Sequence, residues 1–435
     1  MNVSRSLFRR LVICLTLCAL ALGAIMTGRV AQAQPVKVVI LAGQDASTAP
    51  LKDMINEKLA DKATGFQVEW VEFPYDGLYE KATQCGNSKC ADYDLIMGDD
   101  PWVPQFAASG YLENLTAMGY TPDPDLVKAT VDIGWWPPQS GPRVPGISPD
   151  EKPQLYALSV IGDVQIFFYR KDLVKEAPKT WDDINKIGET MADKSKNIYA
   201  LAMRGVKGNP IVTEWFPYLY SYGGEIFDDK WNVKFNSPEG VAALEEFVGL
   251  MKYQPDGVAA FDSAEQGACY LQGQCITNIE WTGWILAAED PTQSKVVGKT
   301  GWTTTPGKVR SASELGTWIM GINANAPHKA EALKVLQWIL GEDAQRELAN
   351  RKGVPVRTSV YTDKDLDAKY PWLPVILNAL NGSVARPRTP DWAQVEATLG
   401  LHLNNAVTGK EKPQEALDNA AKEVTKILTD AGYYK

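Results

Sequence analysis

Short apolar runs without alternation punctuate this chain, and most precede a stretch whose apolar positions recur every three to four residues. Unbroken apolar runs mark strands covered on both faces, and the longer period marks helices with one buried stripe. On that basis 36–41, Phe66–Phe73 and 95–97 predict strands. Helices are expected at 51–59, from Tyr75-Asp76 with Asp76 as N-cap, and at 103–109. Residues 134–153 carry prolines and glycines and no period, so they predict a long loop. Beyond it, 155–160 and 164–169 predict strands flanking Gly162-Asp163, with further strands at 276–279 and 315–322. Thr180-Trp181-Asp182-Asp183 has capping-box form, and Ser237-Pro238-Glu239 starts another helix. Helices then dominate, at 329–340, 344–349, Trp392–Val407 and 414–428. The last aligns Ala416-Leu417, Ala420-Ala421, Val424 and Ile427-Leu428 on one face. Strands alternating with helices predict an α/β fold.

One strand end stands out. The apolar stretch 95–97 stops at Asp99-Asp100, and Pro101-Trp102 follows at once. Proline lacks an N–H and ends the ladder, which places two carboxylates and an indole at a strand's carboxyl end. Open α/β sheets hold their ligands there. Carboxylates accept hydrogen bonds from hydroxyls and indoles cover C–H faces, a pairing suited to a neutral polyhydroxylated ligand. The competing reading is a helix N-cap beside a core tryptophan.

The first 33 residues form a separate signal. Arg5, Arg9 and Arg10 precede the apolar run 11–26, and Ala31-Gln32-Ala33 offers a small-residue cleavage site. The run is shorter than the roughly 20 residues a membrane span needs. A soluble, exported mature chain cleaved after Ala33 is expected. Its removal takes four arginines and no acid, and the net charge falls from −9 to −13. That acidity argues against nucleic acid or anionic lipid as partner. About 400 remaining residues exceed the usual size of one core, so two lobes are expected. Four cysteines survive, as Cys85/Cys90 and Cys269/Cys275. Three pairings are open to them, and the two local ones are favoured because each closes a glycine-containing turn in an exported chain. A zinc site is the alternative, but no histidine lies near either pair.

Catalytic signatures are missing. His328 and His402 are the two histidines, neither beside a candidate nucleophile, and no G-x-S-x-G, S-x-x-K or H-E-x-x-H occurs. Gly301 to Lys308 resembles a phosphate loop but has the wrong spacing and Val309 where a hydroxyl is needed. No cofactor is called for. An exported glycoside hydrolase is the enzymatic alternative, with Asp100 set against Asp163 or Glu280, since adjacent Asp99 and Asp100 diverge.

Fourteen tryptophans are a heavy load, and Trp102, Trp281, Trp284 and Trp318 fall beyond or within strand ends. Other tryptophans, Trp215 among them, are expected in packing. The run Asp99-Asp100-Pro101-Trp102-Val103-Pro104-Gln105-Phe106-Ala107 leads a series of matches in order. Asp163 with Phe168-Tyr169-Arg170-Lys171-Asp172-Leu173, Tyr222-Gly223-Gly224, Phe235-Asn236-Ser237-Pro238-Glu239-Gly240, Gly316-Thr317-Trp318 and Arg386-Pro387-Arg388-Thr389-Pro390 continue it. In these the chain resembles family 1 of the extracellular solute-binding proteins, sugar and polyol receptors of bacterial ABC importers. The resemblance implies a two-lobed periplasmic-binding-protein-like fold of type II, with a helical C-terminal part and crossing hinge segments. It implies a first lobe of 34–155 plus 312–352 and a second of 156–311 plus 353–435. Carried over by position, Asp99, Asp100 and Gln44 look like first-lobe polar contacts and Asp163 like a second-lobe hydroxyl acceptor. Trp281 and Trp284 fall in the region of the stacking aromatic, Trp318 on the returning strand, and Arg386 or Arg388 supplies the basic donor. A monomer that docks on ABC permease subunits is the partner arrangement implied.

Overall fold

The structure, a computed structural model, describes residues 35–59 and 66–434. The expected export segment lies outside them. The described strands are β1 (Val36–Gly43), β2 (Phe66–Phe73), β3 (Leu95–Asp99), β4 (Trp135–Trp136), β5 (Gln154–Leu155) and β6 (Ala157–Ile161). They continue with β7 (Gln165–Arg170), β8 (Thr277–Trp281), β9 (Thr300–Thr303), β10 (Glu314–Leu315), β11 (Trp318–Ile322) and β12 (Val384–Ala385). Five of them form one sheet in the order β2-β1-β3-β11-β6. β1 runs parallel to β2 and β3, whereas β11 is antiparallel to both β3 and β6. A second sheet, β8-β7-β9, is antiparallel throughout.

Every residue of β3, β6 and β11 is buried, which is why their sequences run apolar without alternation, Ser159 and the terminal Asp99 apart. The first sheet and its helices share one apolar cluster, which also takes in Val354 to Leu380. A second cluster gathers helices Asn209–Ser221, Pro238–Gly249, Trp392–Val407 and Pro413–Asp430 with Trp181 and Trp215. The chain passes between the sheets at 162–164 and again at 304–317, and β12 pairs with β10 beside that second crossing. β6 belongs to the five-stranded sheet although it follows residue 155, the expected end of the first lobe's leading segment.

The capping box at Thr180 forms, with Asp183 as its reciprocal partner. Helix Tyr75–Ser88 starts two residues earlier than an Asp76 cap implies: Pro74 is its N-cap, and Asp76 lies in the first turn, where a negative charge favours the dipole. The expected strand 315–322 breaks into β10 and β11 around Gly316-Thr317. Helix Asn209–Ser221 escaped the pattern altogether. It is buried from Ile211 to Ser221, so it has no polar face to reveal its period, and Pro217 sits inside it. Both cysteine pairs form local disulfides, Cys85–Cys90 at the end of helix Tyr75–Ser88 and Cys269–Cys275 just before β8. No helix among the described residues is long and apolar enough to cross a membrane.

Candidate functional site

The carboxyl ends of β3 and β8, the loops after β1 and β2, and the start of β11 meet around a cleft of about 610 Å3. Parallel β1 and β3 end on the same side, and antiparallel β11 begins there, with Trp318 paired to Asp99. Strand direction alone therefore collects Asp45, Tyr75, Asp99 and Trp318 on one wall. Trp281, Asp163, Asp262 and the loop from Arg204 to Pro210 form the other. The walls touch at one edge: a Cβ on Gly283 would lie 2.7 Å from Ser47.

Asp99 is held from three sides. Tyr75 Oη donates to its Oδ2 at 2.6 Å, and Arg386 bonds both oxygens, at 2.7 and 2.5 Å. Arg386 also donates to Asp100 Oδ1 at 2.9 Å, and its Nε stands 3.1 Å from Glu314 Oε1. Arg388 donates to Asp100 Oδ2 at 2.9 Å. Two guanidiniums thus face three carboxyls. Burial pushes Glu314 well above the usual carboxylate range, although Arg386 pulls it down. Burial raises Asp100 as well, with Arg386 and Arg388 pulling against it.

Across the cleft, Thr282 donates to Asp163 Oδ1 through its backbone N–H at 3.0 Å and through its hydroxyl. Burial, and then the facing charge of Asp45, raise Asp163 to about 7 against the pull of those bonds. The Trp281 ring lies against Gly316, where a Cβ would come within 2.3 Å of Cη2. Trp318 is seated in the same way on Gly43, at 2.5 Å. Two glycines without side chains let two indoles lie flat at the cleft.

Of the residues expected from sequence, Asp99, Asp163, Trp281, Trp318 and Arg386 line the cleft. The other five lie outside its lining. Gln44 is exposed on the loop after β1, and the next residue, Asp45, takes the lining position. Asp100 is fully buried behind Asp99, because the chain turns into a 3-10 helix and Asp99 Oδ1 caps the Asp100 N–H at 2.9 Å. Trp102 packs between Tyr75 and Tyr79 with centroids at 5.1 and 5.0 Å. Trp284 lies on Gly267 and donates to Ser263 Oγ at 3.1 Å. Arg388 is taken up by Asp100 and by the Ile133 carbonyl. Tyr75, Arg204 and Asn209 line the cleft without having been singled out. Tyr75 carried a related signal, since it follows the end of β2 and Pro74, as Asp99 ends β3 ahead of Pro101. Gly208-Asn209-Pro210 carried a helix-start signal.

Residues 42–346 match the family model described as bacterial extracellular solute-binding protein. A mannitol-binding protein of Pseudomonas aeruginosa is 24% identical over 399 residues, covering 85% of this chain and 88% of that one. A probable amino-acid ABC transporter periplasmic-binding protein of Sinorhizobium fredii is 28% identical over 384 residues, 86% of this chain and 85% of that one. Among solved structures, an ABC transporter solute-binding protein of Agrobacterium radiobacter in complex with ribitol superposes with a TM-score of 0.77 at 27% identity. It covers 90% of this chain and 98% of its own.

Proposed function

Because the chain belongs to the bacterial extracellular solute-binding protein family, we propose that it captures a neutral carbohydrate or polyol in this cleft and delivers it to an ABC-type importer. The observation that carries the reading is the pairing of wall chemistries. Asp99 and Asp163 face the cleft as hydroxyl acceptors from opposite sides, with the indoles of Trp281 and Trp318 beside them. Relatives named for mannitol and crystallised with ribitol support the same ligand class. An amino-acid ligand, suggested by another relative's name, brings a carboxylate. Arg386 already faces three carboxyls, and the five lining aspartates outnumber the three lining cations.

In this reading the five-stranded sheet carries one lobe and the three-stranded sheet the other, and the crossings at 162–164 and 304–317 act as hinges. Ligand stabilises the closed form by its differential affinity for it. Binding proceeds without bond cleavage. The hydrolase pairings required Asp100, which is buried away from the cleft, as is Glu280. Export to the periplasm with cleavage after Ala33, a monomeric state and docking on permease subunits complete the proposal.

Thermal-shift screening against D-mannitol, ribitol, D-tagatose, maltose and the common amino acids tests it. At least one sugar or polyol should stabilise the protein, by about 2.7 kcal/mol at a hundredfold excess over Kd. Stabilisation by amino acids alone, or release of reducing ends from glycosides, would overturn it.

A further inference from the structure

The second wall holds an arginine that the pattern of acids and indoles does not explain. Arg204 is 6% exposed, yet it lines the cleft. Its loop is tied to the rest of the wall by backbone and side-chain hydrogen bonds. Val206 N–H donates to Phe261 O at 3.0 Å, and Asn404 Nδ2 donates to Gly205 O at 2.8 Å and Ala259 O at 2.9 Å. A Cβ on Gly205 would lie 2.3 Å from Val258 O, so the loop presses directly on its neighbour.

The side chain is fixed as well. Nη2 donates to Thr213 Oγ1, the guanidinium lies 5.6 Å from the Trp281 ring centroid, and Nε stands 3.6 Å from Glu214 Oε2. Nε has no hydrogen-bond partner among the described residues. Behind it runs a buried polar chain. Gln266 Nε2 donates to Glu214 Oε1 at 3.0 Å and to Ala202 O at 3.1 Å. Asn278 Nδ2 donates to Gln266 O at 3.2 Å and to Glu280 Oε1 at 2.9 Å. One guanidinium therefore serves two buried carboxyls. Burial raises Glu280 well above its usual range, and Glu214 adds to that; burial raises Glu214 to about 7 against the pull of Arg204. Glu214 is the nearer of the two carboxyls to Arg204, and five N–H donors minus the Thr213 contact leave the guanidinium with donors to offer the cleft.

We propose that Arg204 is the second wall's hydrogen-bond donor to the ligand, positioned by Thr213 and Glu214, and that it selects ligands with an oxygen acceptor beside the face stacked on Trp281. The inference rests on the cleft being a sugar or polyol site. Hydroxyls would then donate to Asp99 and Asp163 and accept from Arg204, so the cleft reads both ends of the group. An anionic ligand fits less well, because Asp45, Asp76, Asp99, Asp163 and Asp262 outnumber the lining cations.

Calorimetry of D-mannitol, ribitol, D-tagatose and maltose with wild type and with Arg204→Met, Arg204→Lys, Glu214→Gln and Glu280→Gln tests this. Arg204→Met should weaken the best-bound probe roughly 10- to 150-fold, the range for a hydrogen bond from a charged donor. Arg204→Lys should recover part of the loss, and Glu280→Gln should stay within about threefold, because burial raises Glu280 and already disfavours its charged form. The charged and titratable groups around Glu214 are Arg204, Glu280 and Tyr218, with Tyr270 beyond Glu280 and Glu314 beyond Arg204. Wild-type affinity should tighten as pH rises through about 7, and Glu214→Gln should lessen that dependence. Ligand-free melting of each variant separates folding from binding. Unchanged affinity in Arg204→Met, with or without a lower melting temperature, overturns the proposal alone. Failure of wild type to bind any probe overturns the reading of the cleft, and this inference with it.

Discussion

Gly316→Ala tests the stacking platform through a single methyl group. Gly316 does not hold a left-handed backbone, so alanine meets no conformational penalty there. The Cβ would lie 2.3 Å from Trp281 Cη2 and 2.4 Å from Cζ3, where ordinary contact begins at 3.4 Å. The indole must therefore retreat by about an ångström and tilt off its present plane. A ligand face covering about 60 Å2 of that ring, at roughly 25 cal/mol per Å2, is worth about 1.5 kcal/mol. Losing it weakens Kd by about tenfold. Calorimetry with the best-bound probe reads the effect, and ligand-free melting checks that the fold survives. Trp281→Ala should cost at least as much. In the Trp281→Ala background, Gly316→Ala should add nothing, because the methyl then has no ring to displace. Full affinity in Gly316→Ala, or additive losses in the double variant, would refute the role of Trp281.

Two further outcomes follow from the buried charges. Arg386→Met leaves Asp99 without an arginine hydrogen bond and Asp100 with Arg388 alone, and denaturant unfolding should show a loss of about 3–5 kcal/mol; a loss under 1 kcal/mol would contradict the ion cluster. Asp163, Glu214 and Glu396 are each raised to about 7, with burial the first cause. The native state then holds more protons than the unfolded chain between about pH 4 and 7, so stability falls as pH rises through that window, by up to about 1.4 kcal/mol per unit for each group. The ligand-free protein should melt higher at pH 5 than at pH 8, and the reverse order would sink the assignment.

The strand ends were legible because a covered strand is apolar without interruption and its stop is abrupt. That logic found Asp99, Trp281 and the returning strand with Trp318, and the apolar period found helix Trp392–Val407 to the residue. What failed was direction. Asp99 and Asp100 are adjacent, as Arg386 and Arg388 are nearly so, yet one of each pair lines the cleft and the other lies outside it. For the aspartates the difference arises from the 3-10 turn Asp100–Trp102, which the sequence does not announce. Trp281 and Trp284 differ in the same way, three residues apart across the end of β8. Arg204 was hidden for another reason. The helix that fixes its partners, Asn209–Ser221, is buried nearly all round and gave no period, so the proline at its start was the one mark of the loop before it.

The most direct measurement is calorimetric titration of D-mannitol and ribitol into the wild-type protein and into an Asp163→Asn/Trp281→Ala variant. The account predicts one-to-one binding of at least one of them in wild type and loss of most of that affinity in the variant. Equal binding by both proteins would place the ligand somewhere other than this cleft and contradict the account.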